Sequence, residues 1–279
     1  MSTLARERFS APSSPRSTRS ISSKSERRSR DVLRFIHITD THLLDGADDT
    51  FHRINTKQSL QAVLAHCAAR YPDADFWLFT GDISQTGAQK SYAQFESAIR
   101  EYDVPVYCVP GNHDTPQLLQ QVAPECPLDS IRVISLGRFS LVLISTWIAN
   151  EHHGKISQRC LTQLREHLQN SKDQLNVVVL HHPPVPVNSK WLDEIALQNN
   201  TDFVQILDNH PGEVLVLFGH VHQSFDQQLN QLRFLSTPST CHQFKPNAPV
   251  HLPDPLPPAY RFVELDTNGC INTRIHHIQ

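Results

Sequence analysis

No stretch of the 279-residue sequence sustains the roughly 20 apolar residues that a membrane-spanning helix needs, so no spanning segment is expected. No apolar core follows the basic N-terminal segment either, which argues against a secretory signal. The six cysteines form no Cys-x-x-Cys pair, and several lie inside apolar runs such as Val106-Tyr107-Cys108-Val109. They read as buried free thiols, which excludes a disulfide framework and leads to the expectation of a reducing, cytoplasmic compartment. Internal repeats are absent. Positive charge is scarce beyond the first thirty residues: residues 1–30 hold eight of the 25 Lys and Arg and two of the 28 Asp and Glu, a formal +6 that leaves −9 on the remainder. A body that acidic is poorly suited to a nucleic-acid backbone, whose affinity comes from cationic neutralisation of phosphates. It suits a protein that collects cations.

Residues 1–30 are Ser- and Arg-rich with almost no large apolar side chains, and cannot bury enough surface to offset ordering. They are expected to form a disordered tail outside the fold; a transit peptide shares the same basic, acid-poor composition. One folded domain is expected over residues 31–279. Within it, short apolar strands alternate with helices. Leu33–Thr39, Phe76–Thr80, Val106–Val109, Val177–Leu180 and Val214–Phe218 read as strands, the last two continuous enough for burial on both faces. Thr56–Ala69 and Tyr92–Tyr102 carry apolar residues at helical spacing, and Ser157 reads as the N-cap of a helix to about Gln169. Hairpins are expected at Ile131–Ser145, turning at Gly137-Arg138, and over Tyr260–Ile278. Mixed sheets covered by helices follow, in the α/β class.

Five of those strands end in metal-competent groups: Asp40-Thr41-His42, Gly81-Asp82, Gly111-Asn112-His113-Asp114, His181-His182 and Gly219-His220-Val221-His222. Loops beyond the carboxyl ends of strands share one rim, so these side chains can converge. Alone, each motif has an ordinary reading: a polar strand terminus for Asp40-x-His42, a turn for Gly81-Asp82. Five in succession point to a shared site. Period-2 spacing puts both members of Asp40-x-His42, and of His220-x-His222, on one side of an extended chain. Mixed oxygen and imidazole donors with an asparagine amide favour Mn, Fe or Zn over Ca or a thiolate site. Asp114 is read as orienting His113 or capping the helix that starts near Thr115. Cys241 has no base nearby in sequence and reads as a packed thiol, His152-His153 as a loop over the site mouth, and His276-His277 as surface residues.

The series D-x-H, G-D, G-N-H, H and G-H-x-H resembles the calcineurin-like metallophosphoesterases and covers residues 33 to about 222. That resemblance implies a four-layer αββα sandwich of two mixed sheets flanked by helices. It also implies two metal ions, Fe and/or Mn with Zn or Mg as further options. One site resembles Asp40, His42, Asp82 and His222; the other resembles Asp82, Asn112, His181 and His220, with Asp82 bridging. His113 matches the family's non-ligand catalytic histidine, and substrate contacts fall on His42, Asp82, Asn112, His113, His181 and His222. His182 is then a supporting residue. Two such ions acidify a shared water and hold the phosphate for in-line attack, while His113 protonates the departing alkoxide.

A narrower resemblance, to the bacterial class III 3′,5′-cyclic AMP phosphodiesterases, rests on His152–Ser157, Lys190–Asp193 and the string Ser236-Thr237-Pro238-Ser239-Thr240-Cys241-x-Gln243-Phe244-Lys245-Pro246. Ser145-Thr146 departs from that group's Asp-Ser and leaves a supporting contact open. The expectation is hydrolysis of cyclic AMP to 5′-AMP, with a base pocket partly lined by Ser239–Phe244. The alternatives are the same fold on another diester, a nucleotide pyrophosphate or a phosphomonoester, and a non-catalytic metal-binding scaffold. The partner is a cyclic nucleotide, with no membrane or nucleic acid.

Overall fold

The computed structural model describes residues 31–279, so the expected tail over 1–30 lies outside the described residues. In chain order, β1 is Val32–Ile38, β2 Thr50–Phe51, β3 Ile54–Asn55, α1 Thr56–Arg70, β4 Phe76–Phe79, α2 Gln89–Ile99, β5 Val106–Cys108 and α3 Pro116–Val122. Next come β6 Arg132–Leu136, β7 Phe139–Leu143, α4 Gln158–Asn170, β8 Leu175–Val179, the short α5 Lys190–Asp193, α6 Asn200–Asp208 and β9 Val214–Phe218. The chain ends with β10 Phe225–Leu229, β11 Leu232–Ser236, β12 Gln243–Phe244, β13 Pro253–Asp254, β14 Ala259–Asp266 and β15 Ile271–His277.

Two sheets form, in the orders β15-β14-β1-β4-β5 and β10-β11-β9-β8-β7-β6. Both are mixed: β1, β4 and β5 run parallel, as do β11, β9, β8 and β7, while β14 and the outer hairpin partners β15, β10 and β6 are antiparallel. Strand alternation sorts the apolar residues into three cores. Phe35, Leu78, Leu141, Val177 and Leu217 fill the space between the sheets. Ile36, Trp77 and Phe79 pack outward on Leu60, Leu64 and Phe95 of α1 and α2. Val178, Val216 and Phe218 pack outward on Leu161, Leu164 and Phe203 of α4 and α6. Helix, sheet, sheet and helix layers are therefore stacked in the αββα order.

Local chemistry explains the boundaries. Asn55 caps α1 by accepting from the Gln58 N–H at 2.9 Å, and Ser157 caps α4 by accepting from the Cys160 N–H at 3.2 Å. The second helix begins at Gln89, three residues before the position read from spacing, with Tyr92 and Phe95 buried. The β10–β11 hairpin was not anticipated: β10 is an edge strand whose Asp226–Leu229 side chains are exposed and show no alternation. His276, expected at the surface, accepts from or donates to the Tyr71 hydroxyl at 2.7 Å and stacks on Tyr260. Five cysteines are buried and free as expected, whereas Cys270 is exposed in the β14–β15 turn. Among the described residues no helix is long and apolar enough to cross a membrane.

Candidate metal centre

The carboxyl ends of β1, β4 and β5 in one sheet meet those of β8 and β9 in the other, and all eight expected residues gather there. Their backbones are unusual. Asp40, His42, Asp82, His220 and His222 have φ of 53°, 47°, 49°, 69° and 46°. Left-handed backbone costs a non-glycine residue about 1–2 kcal/mol and persists only where the surroundings over-determine it. The loops supply that surplus: His42 N–H donates to Asp82 O at 2.9 Å, and His220 N–H to the Asp40 carboxylate at 3.0 Å. A glycine is required at 111, because a Cβ there would lie 2.1 Å from Asp82 Oδ1.

The donors form two groups joined by Asp82. In the first, His42 Nε2 and His222 Nε2 are 3.1 Å apart, and His222 Nε2 is 3.4 Å from Asp40 Oδ1. In the second, Asn112 Oδ1 lies 3.0 Å from His220 Nδ1 and 3.2 Å from His181 Nε2, and those two nitrogens are 3.2 Å apart. Asp82 Oδ2 stands between, 3.8 Å from His42 Nε2 and 3.4 Å from His181 Nε2. His182 closes a further donor group with His181 and His220, but its own nitrogens are engaged elsewhere: Nδ1 meets Thr146 Oγ1 at 2.7 Å and Nε2 the His152 carbonyl at 3.1 Å. Thr146 thus supplies support behind the site despite the Ser145-Thr146 departure.

Three outer contacts aim the rings. His181 Nδ1–H donates to Thr80 O at 2.6 Å, His222 Nδ1–H to His242 O at 2.7 Å, and His42 Nδ1–H to Gln85 Oε1 at 2.7 Å. Each leaves an Nε2 lone pair facing the centre, the arrangement in which imidazoles ligate metals. Lone pairs converging without a proton between them repel unless a cation sits among them. Donors about 2.1 Å from one ion, at tetrahedral or octahedral angles, are about 3.0–3.4 Å apart. All the observed separations but the 3.8 Å from Asp82 to His42 fall in that range, and the residues fit a pair of first-row cations.

Electrostatics point the same way. Burial alone would raise the Asp82 carboxyl, yet the His181, His113 and His42 rings hold it well below the usual carboxylate range. Burial opposes charge on His181, but Asp82 and Asp40 outweigh it and raise its pKa to about 9. Burial wins at His42, lowered to about 3, and at His220 and His182, both well below the ordinary imidazole value. The buried site therefore fixes negative charge on Asp82 and favours positive charge beside it at His181, while the His42, His182 and His220 rings stay neutral.

His113 sits at the edge of the first donor group, with a ring nitrogen within 4.8 Å of the donor atoms of His42 and Asp82. Its N–H donates to Asp82 Oδ1 at 2.9 Å and its ring Nδ1–H to Gln85 O at 3.0 Å, so Nε2 is left for the cleft. Gln85 thus aims His42 with its side chain and His113 with its carbonyl. Nothing in the sequence marked it.

Asp114 neither orients the His113 ring nor caps α3, for which Thr115 is the N-cap residue without a side-chain hydrogen bond. It accepts from the N–H groups of Ile83, Ser84 and Gly111 at 3.2, 3.0 and 2.9 Å, and from Tyr92 Oη at 3.0 Å. It laces the Gly81-Asp82 loop to the Gly111–Asp114 loop. Asp114→Ala would strand those buried donors and is expected to destabilise the protein by about 3–5 kcal/mol. Chemical denaturation measures this, and a change under about 1 kcal/mol would contradict the lacing role.

The stretch Ser239–Phe244, expected to line a base pocket in part, divides in two. Ser239 Oγ donates to Asp40 O at 2.7 Å and accepts from the Cys241 N–H at 2.7 Å, so Ser239 and Cys241 buttress Asp40 from behind. Burial pushes the Cys241 thiol up to about 12, removing any nucleophilic role. His242 and Phe244 do line the cleft, together with Phe51, His52, His152, Trp191 and His251. Phe244 stacks on His222 at 4.2 Å and 17°, so it serves a candidate ligand as well as the wall.

The calcineurin-like phosphoesterase family model matches residues 33–224. Over 251 residues the chain is 33% identical to the 3′,5′-cyclic adenosine monophosphate phosphodiesterase CpdA of Vibrio vulnificus, covering 90% of this chain and 92% of that protein. It is 30% identical over 247 residues to the protein of the same name from Escherichia coli K12, covering 88% and 90%. Among solved structures, a dimetal phosphatase from Danio rerio superposes with a TM-score of 0.63 at 17% identity, covering 88% of this chain and 99% of that one, a likeness of fold. The motif order, the layered fold and the match across residues 33–224 agree, and the chain belongs to the calcineurin-like phosphoesterase family.

Proposed function

We propose that this chain is a metal-dependent phosphodiesterase that hydrolyses 3′,5′-cyclic AMP to 5′-AMP. The observation that carries the reading is the pair of donor groups hinged on one carboxylate, Asp82, with the His113 ring at the edge of the first. Asp40, His42, Asp82 and His222 would hold one cation, and Asp82, Asn112, His181 and His220 the other. The oxygen and imidazole donor set favours Fe or Mn, with Zn or Mg as alternatives. When bound, such a pair supplies Lewis acidity to phosphate oxygens and acidifies water near neutral pH.

The chain's own residues do the rest. Gln85 O fixes the His113 tautomer, so a protonated His113 presents Nε2–H to the cleft. There it can stabilise charge on the phosphoryl group and pass its proton to the 3′ oxygen as the P–O3′ bond breaks, leaving phosphate on the 5′ carbon. Asp114 keeps the two loops in register, so the ring and Asp82 hold their spacing. The substrate assignment draws support from the relatives' names and from the aromatic cleft wall, which suits a heteroaromatic base. Residues 31–279 would act as one catalytic unit, in the cytoplasm, where the buried free thiols stay reduced.

Parallel assays test this reading: purified enzyme with Mn or Fe is offered cyclic AMP, adenosine 5′-diphosphate and p-nitrophenyl phosphate. Turnover of cyclic AMP to 5′-AMP, with a chelator abolishing it, is expected to exceed the other two activities. A preference for the pyrophosphate or the monoester would overturn the substrate assignment.

A further inference from the structure

Among the described residues, eleven non-glycine positions have positive φ: Asp40, His42, His52, Arg53, Asp82, Asn150, Asn188, His220, His222, Asn230 and Asn247. Asparagine tolerates this region, so its four positions are unremarked. Five of the others are candidate metal ligands. The remaining two, His52 at 50° and Arg53 at 67°, form the tip of the β2–β3 hairpin. Two-residue tips with both φ positive usually take Asn-Gly or Asp-Gly, because side chains with a bulky Cβ are strained there. A His-Arg tip departs from that choice; histidine, like asparagine, enters the left-handed region more readily than most residues, so the strain falls chiefly on Arg53, and strain of this kind concentrates at functional sites.

The strain places a ring. His52 lines the cleft beside the donor groups, tilted 37° against His242 at 4.3 Å. His251 stands 6.4 Å away, tilted 33°, and itself packs edgewise on Trp191 at 5.1 Å and on Phe244 at 4.9 Å. The rings form one continuous aromatic border from the hairpin to α5. His52 and His251 are both exposed, so their faces remain accessible to a ligand. Phe51, beside the tip, packs on His42 at 5.6 Å and on His242 at 5.1 Å, which ties the hairpin to the cleft.

We propose that the Thr50–Asn55 hairpin is a base-gripping flap, in which His52, on the same aromatic border as His251 and Trp191, holds the heteroaromatic base of a cyclic nucleotide and sets the preference for it. This rests on the phosphodiesterase reading above and adds the part of the substrate that the metal ligands do not touch. Stacking and edge contacts with imidazole are tolerant of base identity, so purine over pyrimidine preference is expected to be modest.

The test compares kcat/KM on cyclic AMP with that on the base-free 3′,5′-cyclic phosphate of methyl ribofuranoside, which shares the reacting ring. His52→Ala is expected to lose roughly 5- to 100-fold on cyclic AMP, the range of one stacked base, and less than about threefold on the base-free diester. His52→Phe restores the preference, since it returns a ring. Arg53→Gly relieves the left-handed tip while keeping His52, and should leave the ratio of the two substrates within about twofold of the parent. Equal losses on both substrates in His52→Ala, or an Arg53→Gly defect as large as that of His52→Ala, would overturn the flap. A parent enzyme that cleaves the base-free diester as well as cyclic AMP would overturn it too. A parent that leaves cyclic AMP untouched while cleaving another phosphate ester would instead overturn the functional reading, so the two failures are distinguishable.

Discussion

Asp82→Ala is expected to lose both metal equivalents at once and to lower cyclic AMP turnover by about 10³-fold or more, several kcal/mol of metal assistance. The reason is positional. Asp82 Oδ2 lies 3.8 Å from His42 Nε2 and 3.4 Å from His181 Nε2, one in each donor group, so this single oxygen can serve both. Its second oxygen accepts from the His113 N–H at 2.9 Å, which ties the non-ligand histidine to the same carboxylate. Removing the side chain leaves three donors in the second group, Asn112, His181 and His220, none of them a carboxylate. Asp82→Asn keeps an oxygen for His113 but removes the charge, and should retain the fold while binding metal weakly. Metal analysis after dialysis and circular dichroism separate loss of ions from loss of fold. One full equivalent retained in Asp82→Ala with normal activity would remove the bridging assignment.

His113→Ala is expected to show the opposite pattern: both metals kept, rate lowered roughly 10²–10⁴-fold, the usual scale of an acid–base contribution. The structure explains the asymmetry, because His113 meets its surroundings through its backbone N–H, a ring hydrogen bond to Gln85 O and an edge contact with the His42 ring. Alanine preserves the first and deletes the two ring contacts. The defect should shrink for a diester with a good leaving group such as p-nitrophenolate, which departs without a proton, and stay large for cyclic AMP. Equal defects on both would assign His113 to charge stabilisation alone. Normal turnover of cyclic AMP would refute its catalytic role.

Much of this site was legible in the sequence because each candidate ligand sits where an apolar run stops. Val214–Phe218 is buried throughout and gives way at once to Gly219-His220-Val221-His222; Phe76–Phe79 does the same before Gly81-Asp82. Two packed sheets need buried strands, and their carboxyl ends are where polar groups can collect. The layered fold follows from the same alternation. What stayed hidden depends on contacts between distant segments. Gln85 is a single glutamine with no motif, and its partner His42 is 43 residues away. The Ser236–Cys241 string was recognisable as unusual, but the contact by which Ser239 braces Asp40 spans 199 residues and carried no local signal. Asp114 looked like a cap because it precedes a helix; only the turn of its carboxylate toward Ile83 and Ser84 shows otherwise. The β2–β3 hairpin has strands too short to alternate and a tip without glycine, so it carried no hairpin signature.

The most direct test of the central claim is a metal count on the purified protein, taken in the same preparation that is assayed for cyclic AMP cleavage. The account predicts close to two first-row cations per chain, turnover that rises in step with occupancy, and 5′-AMP as the product. A fully active preparation holding one ion or none per chain, or a product carrying its phosphate on the 3′ oxygen, would contradict it.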